Sequence, residues 1–282
     1  MAGLGCLGFG AYVMWTSFQT YRLGKLAQTI PTSKVEAIAM GPVEVVGSAE
    51  KAKDIIQAPL SGKPCFYWKL LVERYQSGKH AQWVNVMERN SGTPFFLRDK
   101  TGAVLVDPKD AQVDIALSTA LLWNPKSTGL FSMSEAPISE SYLQDYSGKN
   151  PKTFDYKKLG IQDITQFERP KKQAAGEKPP LIKIESLGAY SYGGGSMRYS
   201  EWRIEDGTQL YVLGTAGDNP YVEDATNVKG YENVMIQKGA SIPFYYISDS
   251  SESKVESKTT AGLLGLIFGA GLILFGTFLL TL

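Results

Sequence analysis

Phe66-Tyr67-Trp68-Lys69-Leu70-Leu71-Val72-Glu73-Arg74-Tyr75 is the stretch that decides the fold class. Phe66, Trp68, Leu70 and Val72 alternate with Tyr67, Lys69, Leu71 and Glu73. Side chains two apart share a face of an extended chain, so this alternation reads as a strand. Gln76-Ser77-Gly78-Lys79 follows as a turn into a second run around Trp83 to Met87, which predicts a hairpin. Working outward, Val43 to Val46 predicts a strand ending at Gly47, and Phe95 to Leu97 and Ala103 to Val106 predict two more. The turn Asp99-Lys100-Thr101-Gly102 joins the last two. The pattern returns at Leu181 to Leu187, Tyr199 to Ile204, Gln209 to Leu213, Tyr231 to Ile236 and Phe244 to Ile247. Short strands at regular spacing with Gly, Pro and Asp punctuation predict a mainly β domain, barrel-like or sandwich-like.

This domain is expected to span residues 31–250, with an insertion at about 115–180. Within the insertion, Ile115 to Trp123 is apolar enough for a short helix or buried turn, and Ile161 to Arg169 reads as one short helical stretch. Pro170-Lys171-Lys172 through Pro179-Pro180 reads as a connector with a solvated, charged surface.

The two ends differ from the middle. All 29 Lys and Arg and all 28 Asp and Glu lie between Arg22 and Lys258. The mean hydropathy of −0.14 therefore averages over unlike zones. Ala261 to Leu282 contains no polar side chain except two threonines, and as a helix its 22 residues reach roughly 33 Å, enough to cross a bilayer core. Residues 2–21 form a weaker apolar segment, diluted by Thr16, Ser17, Gln19 and Thr20. It lacks the basic start and small-residue cleavage site of a signal peptide, so it reads as an uncleaved anchor. Two transmembrane helices, 2–21 and 261–282, are thus expected to flank the β domain. Arg22, Lys25 and Lys34 follow the first and Lys254 and Lys258 precede the second. In a plasma membrane, that basic excess places the domain in the cytoplasm. Gly265 and Gly269, with Ala261, form a small-residue stripe suited to close helix contact and to a homo-oligomer, although glycine is also simply common in membrane helices.

Chemistry-bearing residues are few. Net charge is +1, which argues against a dedicated nucleic-acid partner. His80, the single histidine, falls on a polar hairpin turn. Cys65 begins a strand, where a thiol packs as a small apolar side chain; nearby Lys63 offers the alternative of a lowered thiol pKa. Cys6 lies inside the first apolar segment. Gly193-Gly194-Gly195-Ser196 lacks the Gly-Lys-Ser/Thr ending of a phosphate loop and reads as a flexible hairpin loop. Glu201, Glu205 and Asp206 form an acidic cluster, in which Glu201 and Glu205 share one strand face and could do acid–base work or bind Ca²⁺. No catalytic residue, cofactor or metal is assigned from these.

Several segments resemble one family in order. Pro31-Thr32-Ser33-Lys34, Ala39 to Gly47 and Ala58-Pro59-Leu60-Ser61-Gly62-Lys63-Pro64-Cys65-Phe66-Tyr67-Trp68 are similar to the opening of the GIDE domain. Pro94 to Asp99 with Thr101-Gly102, and Glu201 to Ile204 followed by Asp206-Gly207-Thr208 through Gly214, resemble its later strands. Pro59, Gly62, Pro64, Cys65, Asp99, Gly102, Glu201, Gly207 and Gly214 are the candidate motif residues. The best-known members, the MULAN/GIDE mitochondrial RING-type ubiquitin ligases, hold this domain between two membrane helices and add a cytosolic RING. A RING needs two sets of four Cys or His ligands, and this chain has two cysteines and one histidine. The resemblance therefore implies the binding or sensing module of those ligases without ubiquitin transfer. The expected partners are the lipid bilayer and a membrane-associated protein. In the mitochondrial relatives the domain faces the intermembrane space, which leaves the orientation open. A membrane-tethered enzyme with an acidic or Ser/Lys site, or a purely structural scaffold, are the rival readings.

Overall fold

A computed structural model describes residues 2–124, 138, 161–165, 195–222, 233–239, 244–249 and 252–281. The strand expected at Leu181 to Leu187, most of the 115–180 insertion, Gly193 and Gly194, and Tyr231 and Glu232 lie outside them. The protein is mainly β, and its chain divides into two compact units. The first takes Met1–Glu50, Phe96–Asp114 and Gln209–Leu282; the second takes Lys51–Phe95 and Ile115–Thr208.

The first unit carries β1 (Gly41–Glu50), β6 (Phe95–Arg98, all but its first residue), β7 (Ala103–Val106), β8 (Gln112–Asp114), β12 (Gln209–Asp218), β13 (Val234–Gln237) and β14 (Tyr246–Ser248). They form one sheet in the order β1-β6-β7-β13-β12-β14-β8, and β1 also pairs with β12, so the sheet closes on itself like a barrel. β1 and β12 run antiparallel from Gly41↔Ala216 to Ser48↔Gln209. Gly47 does not end its strand as the sequence suggested. It continues β1 because a side chain there would meet the Arg98 carbonyl oxygen at 2.5 Å, a strand-to-strand approach that only glycine permits.

Two helices complete this unit: α1 (Ala2–Thr29) and α2 (Glu252–Thr281). Among the described residues only α2 holds a stretch long and apolar enough by itself to cross a membrane, Thr260–Leu280, with mean hydropathy 2.4. The expectation of two such helices is thus met at one end only. α1 runs eight residues past Tyr21 and carries Arg22 and Lys25 within it. The glycines of α2 fit against α1 in antiparallel order. A side chain at Gly262 would meet the Tyr21 backbone at 2.5 Å, one at Gly265 would strike Ser17, and one at Gly269 would meet Met14 at 2.7 Å. Gly10 in turn faces Ile273. The small-residue stripe is therefore covered by α1 of the same chain. α1 is tied to the sheet where Ile30 packs on Tyr211, Leu213 and Tyr246, and where the Arg22 guanidinium lies 5.5 Å from the Phe244 ring.

The second unit carries β2 (Ile56–Gln57), β3 (Pro64–Cys65), β4 (Tyr67–Gln76), β5 (Gln82–Gly92), β9 (Leu117–Trp123), β10 (Ile161–Asp163) and β11 (Met197–Ile204). Its main sheet has the order β10-β9-β11-β4-β5, with β2 and β3 paired separately. The β4–β5 hairpin forms as the alternation predicted, from Tyr67↔Gly92 to Gln76↔Gln82. Two expectations are corrected. Ile115 to Trp123 is no helix: Leu117–Trp123 is a strand between β10 and β11. Ile161 to Asp163 is likewise extended and pairs with β9. β9 looked featureless because both of its faces are covered. Leu121 and Trp123 join one apolar cluster with Leu70, Val72 and Tyr199, while Ala120 and Leu122 join another with Ile164. A strand buried on both faces shows a continuous apolar run instead of alternation.

Candidate functional site

In the second unit, Glu201 is fully buried on β11, two residues before Arg203 on the same strand face. Arg203 Nη1 donates to Glu201 Oε1 at 2.6 Å and to Thr119 Oγ1 at 2.8 Å, and its Nε donates to Glu205 Oε1 at 2.8 Å. The other side of the Glu201 carboxylate holds the loop between β2 and β3. Leu60 N–H donates to Oε2 at 2.7 Å and the Ser61 hydroxyl to Oε1 at 2.7 Å. That loop turns through Gly62 at φ +65°, closed by Gly62 N–H to Ala58 O at 3.0 Å. It delivers Pro64 and a buried Cys65 to β3. Five of the nine candidate residues, Pro59, Gly62, Pro64, Cys65 and Glu201, thus belong to one knot.

At its centre the Glu201 and Arg203 side chains are hydrogen-bonded and closed to solvent, while Pro64 and the Glu205 side chain remain exposed. Burial disfavours the Arg203 charge, but the Glu201 charge and the bonds to both glutamates outweigh it and raise its pKa further. Burial, reinforced by the Glu201 charge, pushes the Cys65 thiol up to about 12. The buried thiol fits the packing reading, and the shift runs opposite to the lowering that Lys63 would give. Glu201 and Glu205 do share a face, but they do so as the two anions around Arg203, the residue that the acidic-cluster reading passed over. Gly207, at φ +79°, makes the turn from β11 to β12. His80 is exposed on the β4–β5 turn. Ser196 is buried and donates to Asn124 Oδ1 at 2.8 Å, a structural bond.

In the first unit, Asp99 and Gly102 shape the β6–β7 turn. Asp99 Oδ1 accepts from Thr101 N–H at 2.7 Å, Thr101 Oγ1 at 2.7 Å and Gly102 N–H at 2.9 Å. Its Oδ2 accepts from Val35 N–H at 3.0 Å, at the 3₁₀ turn Val35–Ala37. Burial opposes ionisation of Asp99, yet these donors outweigh it and hold its carboxyl below the ordinary value. The turn thereby fastens the segment after α1 to the sheet and floors an open groove of about 520 Å³, lined by Lys34, Val46, Ser48, Arg98, Lys100 and Gln209 beside the turn. Three basic residues are among those that line it, while the Asp99 carboxylate is occupied by the turn. Arg98 is bonded to Glu50 at 2.6 Å, and Lys34 and Lys100 make no ion pair among the described residues. Val46 is 42 % exposed. Sequence reasoning named Asp99 but missed the groove, because Lys34, Val46, Arg98 and Gln209 are far apart in the chain. Gly214, the last candidate, serves packing: a side chain there would meet the Tyr245 ring at 2.8 Å.

Glu44 is a second fully buried carboxylate that sequence reasoning took as one more strand residue. Tyr211 OH and Thr32 Oγ1 each donate to it at 2.6 Å, locking the chain just after α1 against β1. Among the described residues no group of three or more His, Cys, Asp or Glu is placed to hold a metal ion. Comparisons with protein-family models, with curated proteins and with solved structures find no match.

Proposed function

We propose that the chain is a two-span membrane protein whose β units form a binding module for an anionic, membrane-proximal ligand, and that it holds its partner without transferring a group itself. The groove carries this reading: Lys34, five residues beyond the end of α1, Arg98 and Lys100 line it together with the exposed apolar Val46. Two spans are supported by the antiparallel seam of α1 and α2 and by their outer faces. Leu4, Phe9, Leu264, Phe268 and Leu274 are 62 %, 57 %, 63 %, 60 % and 70 % exposed, a surface suited to lipid and unsuited to water. The resemblance of residues 31–250 to the GIDE domain, a module held between two membrane helices, points the same way. In a plasma membrane the basic flanks orient the units to the cytoplasm. A photo-reactive residue in place of Val46 should capture a membrane-bound ligand, and the Lys34→Glu, Lys100→Glu pair should abolish that capture. Capture no greater than from the exposed Tyr221 position would remove the groove as the site.

A further inference from the structure

The face of α1 turned away from α2 carries groups that do not belong in lipid. At 3.6 residues per turn, Gly5, Gly8, Tyr12, Trp15, Thr16 and Gln19 fall within an arc of about 100°. Gly10, Met14, Ser17 and Tyr21, which meet α2, lie on the opposite side. Tyr12 and Trp15 are each 66 % exposed, and nothing lies within 4 Å of where side chains at Gly5 and Gly8 would begin. The antiparallel register fixes their depth. Met14 lies level with Gly269, one residue from the middle of Thr260–Leu280, so Tyr12 and Trp15 sit within roughly 3 Å of the midplane. Tyr and Trp belong at membrane interfaces, where their polar tips reach water. At the midplane the Tyr12 hydroxyl, the Trp15 indole N–H and, nearer the charged side, the Gln19 amide find no partner among the described residues. The Thr16 hydroxyl, by contrast, is satisfied within its own helix by Tyr12 O and Val13 O.

Resting on the two-span reading, we propose that this stripe is the seam of a parallel homodimer. Copies inserted with one topology present the stripe at one depth and in one direction, so each residue meets its own counterpart across a two-fold axis. The stripe is electrostatically self-complementary there. An amide and a phenol are each donor and acceptor, so Gln19 can bond reciprocally with the second Gln19, and Tyr12 with the second Tyr12. Gly5 and Gly8 let the two backbones approach at the far end. The seam leaves the α1–α2 contact intact, which association through Gly265 and Gly269 would have to break.

The test uses the full chain in native membranes with Cys6→Ala, adding Gly8→Cys or Thr16→Cys on the stripe, or Leu274→Cys on the outer face of α2. Oxidation should link two chains through position 8 or 16 and not through 274. In detergent, Gln19→Leu should weaken self-association about tenfold, the scale of one or two interhelical hydrogen bonds. That change makes α1 more apolar, so loss of the dimer cannot come from loss of insertion. A membrane-embedded chain that links equally at 274, stays monomeric, or links instead to a different protein overturns the seam. A chain extracted by alkaline carbonate overturns the two-span reading, a separate and recognisable failure.

Discussion

Glu201 shows how much of this protein rests on single charges placed out of water. Its carboxylate is 0 % exposed and holds both Arg203 and the loop at Leu60 and Ser61. Glu201→Gln keeps the shape but leaves a buried guanidinium short of its closest anion, which costs about 3–5 kcal/mol. Urea unfolding of the full chain in detergent should shift accordingly; a change under about 1 kcal/mol would show that Glu205 and Thr119 suffice. A second consequence concerns pH. Cys65 rises from 9.0 to about 12 and Tyr67 from 10.0 to about 12, both through burial first, with Glu201 and Glu88 respectively adding to it. Between about pH 9 and 12 the unfolded chain therefore releases protons that the folded chain keeps, so stability falls with rising pH, each group adding a slope of up to about 1.4 kcal/mol per pH unit. Below pH 9 neither contributes a slope. Denaturation midpoints from pH 8 to 11 should trace this fall, and Cys65→Ala should remove the part that begins near pH 9; midpoints that stay flat to pH 11 would contradict the burial of both groups.

At the scale of elements, local pattern was legible wherever one strand face stays wet. β4 alternates in burial past Trp68, and the sequence alternates with it. β9 was not legible, because Ala120 and Leu122 feed one cluster while Leu121 and Trp123 feed another. Gly47 misled in the other direction: the reason for that glycine is Arg98, fifty-one residues away in the chain, which no local window contains. The same limit hid the groove beside the Asp99 turn, whose lining comes from Lys34, Val46, Arg98 and Gln209; Arg203, two residues from each of Glu201 and Glu205, lay within the local window and only its burial was out of reach. The α1–α2 seam yields a prediction of its own. Gly262→Leu drives a side chain into the Tyr21 backbone, which cannot move aside as a flexible side chain would. Paired cysteines from Ser17→Cys and Gly265→Cys should form a disulfide within one chain, and Gly262→Leu should suppress it. An unchanged yield would mean that the helices meet on another face.

Over the whole molecule, each unit draws on both halves of the sequence. β1 needs β12, and β4 needs β11. Fragments 31–125 and 180–250 expressed apart should each expose unpaired strand edges and aggregate; two soluble, cooperatively unfolding fragments would refute this. The proposed topology has its own check. Ser77→Cys, on the exposed β4–β5 turn, should resist an impermeant thiol reagent in intact cells and react after lysis, if the host membrane is a plasma membrane. Labelling without lysis would reverse the orientation.

The partnership of Tyr21 with Gly262 also sets a clock. A ribosome adding about 5–20 residues per second takes on the order of 10–50 s to pass from one to the other. During that interval the inner face of α1, with Gly10, Met14 and Ser17, is complete while the helix that covers it does not yet exist. β1 waits about two thirds as long for β12. Between the synthesis of Tyr21 and that of Gly262 the inner face of α1 has no partner helix, while the end of β1 already has β6 to pair with. In the proposed two-span arrangement, a factor that shields helices during insertion would have to cover this face of α1 until Gly262 arrives.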